Sequence, residues 1–302
     1  METPARVLAA IPPTELAAVV AERAADIARA FSAELCLAAC VYDPYVAGER
    51  FSDSPELQSA REALVDARRA QVDALADRFQ TDGLSVSVAV NWAYPIYEGL
   101  VELAENLQAD LMVAGTFHHG LLERWGLANT DWQLLRHVPC PLLLIRRDVF
   151  DGYRHILAAV DPMHAHDVDA VLDDRIVEAA TLFSGPWDGR VDVLHCYLES
   201  EHLPMVAPGV AGYYGKLSSR DEHARAMEKL LARHGLDTRQ MSMEAGDARQ
   251  LIPAVAKRRG SGLVGMGAVS RSRLRRLLIG STAESVLDGL DCDVLVVRGS
   301  AK

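Results

Sequence analysis

The chain has 302 residues, of which 50% are hydrophobic and 24% are charged, so it is globular in composition and long enough for two domains. Its formal net charge of -11 argues against the broad basic face that a general nucleic-acid binder needs. No run approaches the ~18 apolar residues of a membrane-spanning helix, and the N-terminus METPARVLAAIPP lacks the layout of a signal peptide. The five cysteines form no C-x-x-C pair, which is typical of reduced thiols. We therefore expect a cytoplasmic protein without a membrane span.

Short apolar runs rich in β-branched residues alternate with longer amphipathic stretches along the whole chain. In the first half, this alternation predicts strands near 6–11, 35–42, 84–90, 110–115 and 141–146. The helices predicted between them lie near 14–31, 56–80, 96–107 and 130–137. In the second half, the predicted strands lie near 154–160, 190–197, 238–244, 262–267 and 293–298. The predicted helices there lie near 167–183, 215–234, 248–258 and 282–289.

Several of the predicted strands, such as LLLI and VLVV, are apolar on both faces. That pattern is typical of a parallel sheet that is covered by helices on both sides. Strand–helix alternation around such a sheet implies right-handed βαβ units. The sequence therefore predicts the α/β class, with a doubly wound parallel sheet in each half and ligands beyond the carboxyl ends of the strands.

The two halves repeat each other. The segment Asp110–Thr116 (DLMVAGT) corresponds to Gly262–Ala268 (GLVGMGA), and Val138–Arg147 (VPCPLLLIRR) corresponds to Leu290–Gly299 (LDCDVLVVRG). Both pairs share one offset of 152 residues. The sequence DVFDGY at 148–153 interrupts the pattern with a predicted turn. We therefore expect one domain over 1–149 and a second over 150–302.

A constellation of glycines in the second half is the strongest candidate binding motif. It begins at the end of a buried strand, at Gly265 and Gly267, and ends where Gly280 precedes a predicted helix that starts with Ser281-Thr282. Such a helix start offers N–H groups and a positive dipole end to an anion, and glycine lets backbone approach a phosphate. The alternative is that these glycines only end a strand and start a helix. Local sequence leaves both interpretations open.

The spacing of Gly267, Ser270, nine further residues and then Gly280-Ser281 resembles the nucleotide motif of the universal stress protein family, in its ATP-binding branch. Asp161, after the first strand of the second half, matches the acidic residue that contacts the adenine side of the nucleotide in that branch. The segments TDWQLLRHVPCP and LIGSTAESVLDGLDCD resemble the tandem, E-type members of the family. The resemblance covers nearly the whole chain.

The resemblance implies two five-stranded parallel sheets of strand order 3-2-1-4-5, similar to adenine nucleotide alpha hydrolases. It also implies that the halves pair as a pseudo-dimer through their fifth strands, at 141–145 and 293–297. The implied ligand is ATP or another adenine nucleotide in the second half. The candidate nucleotide-binding residues are Asp161, Met266, Gly267, Ser270, Gly280, Ser281 and Thr282.

The chain departs from the family motif at several positions. Ser270 replaces the middle glycine of the second half. The arginine run at 271–276 could compensate by pairing with phosphates. In the first half Pro12 replaces the acidic residue. The positions that correspond to the motif there are Gly115, His118, Ala128 and Asn129, so one glycine remains. We expect no nucleotide site in the first half.

The sequence shows no catalytic constellation: G-x-S-x-G is absent, and no serine or cysteine beside His118-His119 indicates an activated nucleophile. A group of polar residues at 164–169 fits no zinc spacing, so we expect a polar loop there and no metal. The expected function is a stress-response protein that acts by binding and is not an enzyme. The alternative is a nucleotide-independent interaction protein or a binder of apolar ligands, with 199–214 as its adaptable surface. That segment is equally well read as a simple connection. Protein partners and homodimer formation stay open.

Overall fold

A computed structural model of the chain describes residues 1–47, 54–116, 130–163, 171–198, 219–268 and 281–299. The chain forms two compact units. The first domain is Glu2–Phe150, and the second is Asp151–Lys302 together with Met1. Among the helices of the described ranges, none is both long enough and apolar enough to cross a membrane.

Within its described residues, the first domain alternates five strands with four helices. Its strands are β1 (Arg6–Ala10), β2 (Glu34–Val41), β3 (Val86–Trp92), β4 (Leu111–Gly115) and β5 (Leu142–Ile145). Its helices are α1 (Leu16–Phe31), α2 (Pro55–Thr81), α3 (Ile96–Asn106) and α4 (Thr130–His137). Every residue of β5 is buried, as its unbroken apolar run predicts.

The second domain repeats this alternation. Its strands are β6 (His155–Val160), β7 (Arg190–Tyr197), β8 (Met241–Ala245), β9 (Leu263–Ala268) and β10 (Asp293–Arg298). Its helices are α5 (Leu172–Ser184), α6 (Arg220–Arg233), α7 (Ala248–Arg259) and α8 (Ser281–Gly289). Helix α6 begins at Arg220 because Ser219 and Glu222 form a capping box.

Both sheets have the same topology. In the first domain the strand order is β3-β2-β1-β4-β5, and in the second domain β6 lies between β7 and β9 in the equivalent order β8-β7-β6-β9-β10. All of these neighbours pair in parallel. The predicted α/β class and the predicted order 3-2-1-4-5 are confirmed in each domain. The pairing of the two fifth strands stays a prediction.

Two predicted strand boundaries were wrong for identifiable reasons. Residues 238–240 form a 3₁₀ turn rather than the start of β8, because the Asp237 side chain accepts from the Arg239 N–H and Gln240 reaches back to the Asp237 N–H. Strand β3 begins two residues later than predicted, because the Leu84 N–H closes the end of α2 on the Phe79 carbonyl.

The internal repeat extends to individual side chains. Arg23 of α1 donates from Nη2 to the carbonyl of Arg147, just after β5, at 2.9 Å. Arg175 of α5, 152 residues later, donates from Nη1 to the carbonyl of Arg298, at the end of β10, at 3.0 Å. In each domain, therefore, an arginine from the first helix ties that helix to the last strand. These equivalent contacts support a common origin of the two folds.

The cysteines are structural thiols. None of the five, all within the described residues, forms a disulfide bond. Burial, with the charge of Glu102, raises the pKa of Cys40 to about 12. Burial, with the charges of Glu244 and Asp247, likewise raises the pKa of Cys196 to about 12. The two thiols occupy equivalent positions, each one residue before the end of its strand.

We expect Cys40 and Cys196 to resist alkylation in the folded protein. The thiolate is the reactive species, and a pKa of about 12 leaves only about one thiol in ten thousand ionised at pH 8. Mass spectrometry after iodoacetamide treatment should find both residues unmodified in the native protein and both alkylated in urea. Rapid alkylation in the native protein would contradict the burial described here.

Candidate functional site

The candidate site lies at the carboxyl edge of the second sheet, where doubly wound folds bind ligands. Strand β6 ends at Val160, so Asp161 is the first residue beyond it. The parallel register pairs Ala158 with Gly265 of β9. The pairing ends at these residues, and Asp161 and Ala268, the last residue of β9, each lie three residues further along the chain. Asp161 and the end of β9 therefore lie at the same edge of the sheet.

The other predicted site residues divide into two groups. Met266 is buried and Gly267 is half-buried, and both lie inside β9 rather than beyond its end. Ser281 and Thr282 form the first backbone positions of α8. Ser270, Gly280 and the arginine run at 271–276 lie outside the described residues, as do His118-His119, the polar loop at 164–169 and the 199–214 segment.

Gly267 has a packing role of its own. A Cβ atom built on this glycine would lie 2.6 Å from Cδ2 of Leu172 and 3.1 Å from Cδ1 of Ile176, both on α5. At Gly265 the nearest heavy atom would be 3.8 Å away, which is ordinary contact. The close approach of α5 to β9 therefore explains why position 267 needs glycine. This supports the structural interpretation of that glycine, which the sequence had left open.

The backbone of Asp161 is fixed by a buried carboxylate. The Asp161 N–H donates to Oδ1 of Asp173 at 3.0 Å, and Asp173 lies in the first turn of α5 with only 5% of its surface exposed. This hydrogen bond anchors the turn that leaves β6. The Asp161 residue itself is half-buried, so its carboxylate is placed at the edge without being sealed off.

A cluster of three buried rings lies behind Asp161. His195 and Tyr197 belong to β7, His223 belongs to the first turn of α6, and each is less than 10% exposed. Nε2 of His195 is 2.8 Å from Nδ1 of His223, and Nδ1 of His195 is 3.2 Å from the carbonyl oxygen of Val160. The Tyr197 ring centroid lies 4.9 Å from that of His223. The histidine pair therefore connects α6 to the last residue of β6.

The hydrogen-bond chain fixes the tautomers of the pair. A carbonyl oxygen can only accept, so His195 donates from Nδ1 to Val160 and, when neutral, has an accepting Nε2. His223 must then donate from Nδ1 to that Nε2. Its own Nε2 is left as an acceptor. In this arrangement both imidazoles are neutral and every proton between Val160 and His223 is assigned.

Burial favours this neutral state. Desolvation lowers the pKa of His195 below its ordinary value, and His223 lowers it further, while the Val160 carbonyl and the charge of Asp161 oppose the shift. Desolvation also lowers the pKa of His223, against the charges of Asp161 and Glu222. Both histidines are therefore predominantly uncharged at neutral pH.

A cavity of about 390 Å³ adjoins the site. Pro162 and Met163, the two residues after Asp161, form part of its wall, and α5 and α6 supply the rest. The side chains that line it are mostly charged and carry both signs. They belong to Pro162, Met163, Asp173, Glu222, Arg225, Ala226, Lys229 and Arg233.

One end of this cavity is bounded by polar contacts between Asp174 of α5 and the C-terminal end of α6. Arg233 donates from Nε and Nη2 to the two carboxylate oxygens of Asp174, at 2.9 and 3.0 Å, and Nε2 of His234 lies 2.6 Å from Oδ1. Burial would raise the pKa of Asp174, but the hydrogen bonds from Arg233 and His234 outweigh it and hold this pKa below its ordinary value. These contacts to Asp174 fix the spacing of the two helices that form the cavity.

The same edge of the first domain is built differently. Arg68 of α2 donates from Nη2 to the carbonyl oxygens of Ile11 and Pro12, at 2.9 and 2.8 Å. Its Nη1 donates to Gln71, and burial lowers the pKa of the guanidinium. Arginine thus covers the backbone that, in the second domain, leads to Asp161. This contact supports the prediction that the first domain has lost the site.

The sequence patterns did not predict the roles of the histidine pair, Asp173 and Arg68. His195 did carry a signal, because it is, with Asp192, a strongly polar residue in the largely apolar run VDVLHCY of a predicted buried strand. No comparable signal marks its partner, which lies 28 residues away. No group of three or more metal-ligating side chains occurs among the residues that the structure describes.

The family comparisons agree with the tandem fold. The sequence model of the universal stress protein family matches this chain twice, at residues 4–146 and 152–298. The chain is 26% identical to the universal stress protein E homolog of Haemophilus influenzae over 266 residues, which cover 87% of this chain and 85% of that protein. It is also 26% identical to universal stress protein E of Escherichia coli over 252 residues, with coverages of 81% and 78%.

A solved structure extends the similarity to the whole fold. The crystal structure of a protein of unknown function from Pseudomonas aeruginosa aligns with a TM-score of 0.74 and 25% identity. The alignment covers 98% of this chain and 92% of that one. The resemblance therefore covers both domains.

Proposed function

Since the chain belongs to the universal stress protein family, we propose that it is a cytoplasmic stress-response protein that acts by binding, and that its second domain binds an adenine nucleotide. The observation that carries the proposal is the position of Asp161. It lies at the carboxyl edge between β6 and β9, beside a cavity of about 390 Å³. This volume is within the range of small-molecule sites, which is roughly 300–1,000 Å³.

Each part of the proposed site has a chemical task. The Asp161 carboxylate would accept hydrogen bonds from the adenine side of the ligand, with its backbone held by Asp173. The start of α8, at Ser281 and Thr282, offers N–H groups and a positive dipole end to phosphate. The proposal assigns Gly280 to the close approach of backbone and phosphate, as its place before α8 in the motif implies.

The proposal assigns one site to each chain. In the first domain Arg68 covers the carbonyl oxygens of Ile11 and Pro12, and no carboxylate stands at the position equivalent to Asp161. A nucleotide there would have to displace a half-buried guanidinium and would gain no acidic partner. The second domain keeps the acid and the glycine before the last helix.

Calorimetric titration with ATP tests this assignment. We expect the parent protein to bind with modest affinity, because Ser270 places a side chain in the motif where the ATP-binding branch has none. Gly280→Val should abolish the heat by blocking approach to the start of α8, and Asp161→Ala should weaken binding by removing the adenine-side acceptor. Ser270→Gly should strengthen binding. Product analysis after each titration should find the ATP intact, since the protein acts by binding alone.

The matched control is Ala128→Val, which makes the equivalent change in the first domain and should leave binding unchanged. Loss of binding in this variant would move the site to the first domain and contradict the proposal. No heat from the parent at millimolar ATP would reject nucleotide binding altogether. The protein would then be a nucleotide-independent interaction protein or a binder of apolar ligands.

A further inference from the structure

We propose that His195 is a positioning residue for Asp161, and that the His195–His223 pair acts as a latch that loosens this edge of the sheet when it takes up protons. The inference deepens the proposed function, because Asp161 is the acidic residue of the proposed nucleotide site. It rests on three contacts: His195 to the Val160 carbonyl, His195 to His223, and the Asp161 N–H to Asp173.

The peptide unit between Val160 and Asp161 is held at both of its polar groups. On one side, the carbonyl of Val160, which belongs to the peptide unit that also carries the Asp161 N–H, accepts from His195. On the other, that N–H donates to Oδ1 of Asp173. One peptide unit is thus fixed between β7 and α5. Loss of the histidine contact would release its carbonyl and leave Asp173 as its remaining anchor among these contacts.

The pair can accept one proton without rearrangement. In the neutral chain, Nε2 of His223 is the acceptor that remains, so the first proton enters there and the Nδ1–H of His223 still donates to His195. A second proton would have to enter at Nε2 of His195. Two N–H groups would then face each other across 2.8 Å, so the His195 ring would turn away from His223 and carry its Nδ1–H away from the Val160 carbonyl. Acidification therefore first adds a positive charge to the pair and then breaks the hydrogen bond between its two rings.

The charges around the pair set where this happens. Among the described residues, Asp161 at the end of β6 and Glu222 on α6 attract a proton to the pair, and Tyr197 on β7 contacts both rings. In the pairing of β7 with β8, His195 lies opposite Met243, which does not titrate. Desolvation outweighs the two carboxylates, so the pKa of each histidine lies below its ordinary value.

The direction of the pH effect follows from these shifts. Both histidines have a lower pKa in the folded protein than the ordinary value of about 6.5 in the unfolded chain. The stability that they contribute is therefore complete above about pH 6.5 and is lost as the pH falls from there towards the folded pKa values. The latch holds at neutral pH and opens in acid.

The first test needs no ligand. The Asp161 amide reports on the latch through its hydrogen bond to Asp173, so its protection from hydrogen exchange, corrected for the intrinsic rate, should fall between pH 7.5 and 5.5. His223→Gln should abolish most of this fall, because a glutamine amide donates to neutral His195 and, after rotation, accepts from protonated His195, so no pair of N–H groups is forced together. Glutamine is already present at the equivalent position of the first domain, Gln71, which lies 152 residues earlier.

A second variant separates positioning from simple packing. His195→Asn keeps a donor for the Val160 carbonyl without a titrating group, so it should preserve Asp161 protection at both pH values. His155→Gln, at an exposed histidine on β6, should behave like the parent. Protection of Asp161 that does not change with pH in the parent would overturn the proposal. A fall of equal size in His223→Gln would also overturn it.

Nucleotide affinity gives the second readout. ATP affinity of the parent, relative to His223→Gln at the same pH, should fall by up to about tenfold per pH unit below the pKa of the pair. Because both proteins bind the same ATP at the same pH, this ratio cancels the effect of phosphate titration on affinity. If neither protein binds ATP at any pH, the proposed function fails, and the exchange experiment still decides the latch. If both bind with a constant ratio while Asp161 protection falls, the histidines do not position the binding residue.

Discussion

Replacing Gly267 by alanine should lower the free energy of unfolding by about 1–3 kcal/mol, because the added Cβ would lie 2.6 Å from Cδ2 of Leu172. Leu172 and Ile176 are almost fully buried on α5, so neither can turn away from the sheet. The helix would have to move off β9 at the edge that carries Asp161. We expect this variant to lose stability whether or not nucleotide is present.

Gly265→Ala is the matched control, since its Cβ would meet nothing nearer than 3.8 Å. It lies on the same strand and should be neutral or slightly stabilising, because alanine reduces the entropy of the unfolded chain. Urea denaturation of both variants measures the difference. Equal stability of Gly267→Ala and the parent would contradict the packing role and return Gly267 to a purely ligand-related one.

The largest loss of stability is expected for Gly189→Ala, at about 3 kcal/mol, the upper end of overpacking costs. The new Cβ would lie 2.2 Å from the backbone carbonyl oxygen of Tyr153. Tyr153 cannot retreat, because its ring is buried and its hydroxyl donates to Oδ2 of Asp293 at 2.9 Å. The melting temperature should fall by several degrees, at roughly 2–4 °C per kcal/mol.

Gly185→Ala provides the comparison, since a Cβ there would meet no atom within 4 Å. The first domain supplies another, because Ala33 occupies the equivalent position, immediately before β2. Both Ala33 and Gly189 donate their N–H to the carbonyl five residues earlier. The requirement for glycine therefore comes from the Tyr153 segment and not from the turn itself. A fully stable Gly189→Ala would show that this segment can move.

The fold could be predicted from the sequence because its signals are local. Strands β5 and β10 are buried along almost their whole length, and the uninterrupted apolar runs in their sequences predict this burial. One error occurred where a backbone hydrogen bond at the end of α2 delays β3, and the other where polar side chains bond to the backbone. At Asp237 a capping box replaces the first residues of the predicted eighth strand, whereas the sequence pattern favoured a strand there.

The candidate site could be predicted only in part, because its supporting residues are distant in sequence. Asp161 was identified through the family resemblance, as the acidic residue that follows the first strand of the second half. Arg68 reaches a carbonyl 57 residues away, and His195 meets a histidine from the following helix. Such pairs have no fixed spacing, so they depend on the packing of helices on the sheet. The glycine at 267 had two physical explanations, and the position of Leu172 was needed to separate them.

Equilibrium dialysis of the purified protein against labelled ATP tests the claim that the second domain carries the chain's nucleotide site. We expect saturation at one ATP per chain, with the same value in Ala128→Val and no binding in Gly280→Val. Saturation at two ATP per chain would show that the first domain binds despite Arg68. No binding at millimolar ATP would contradict the claim itself.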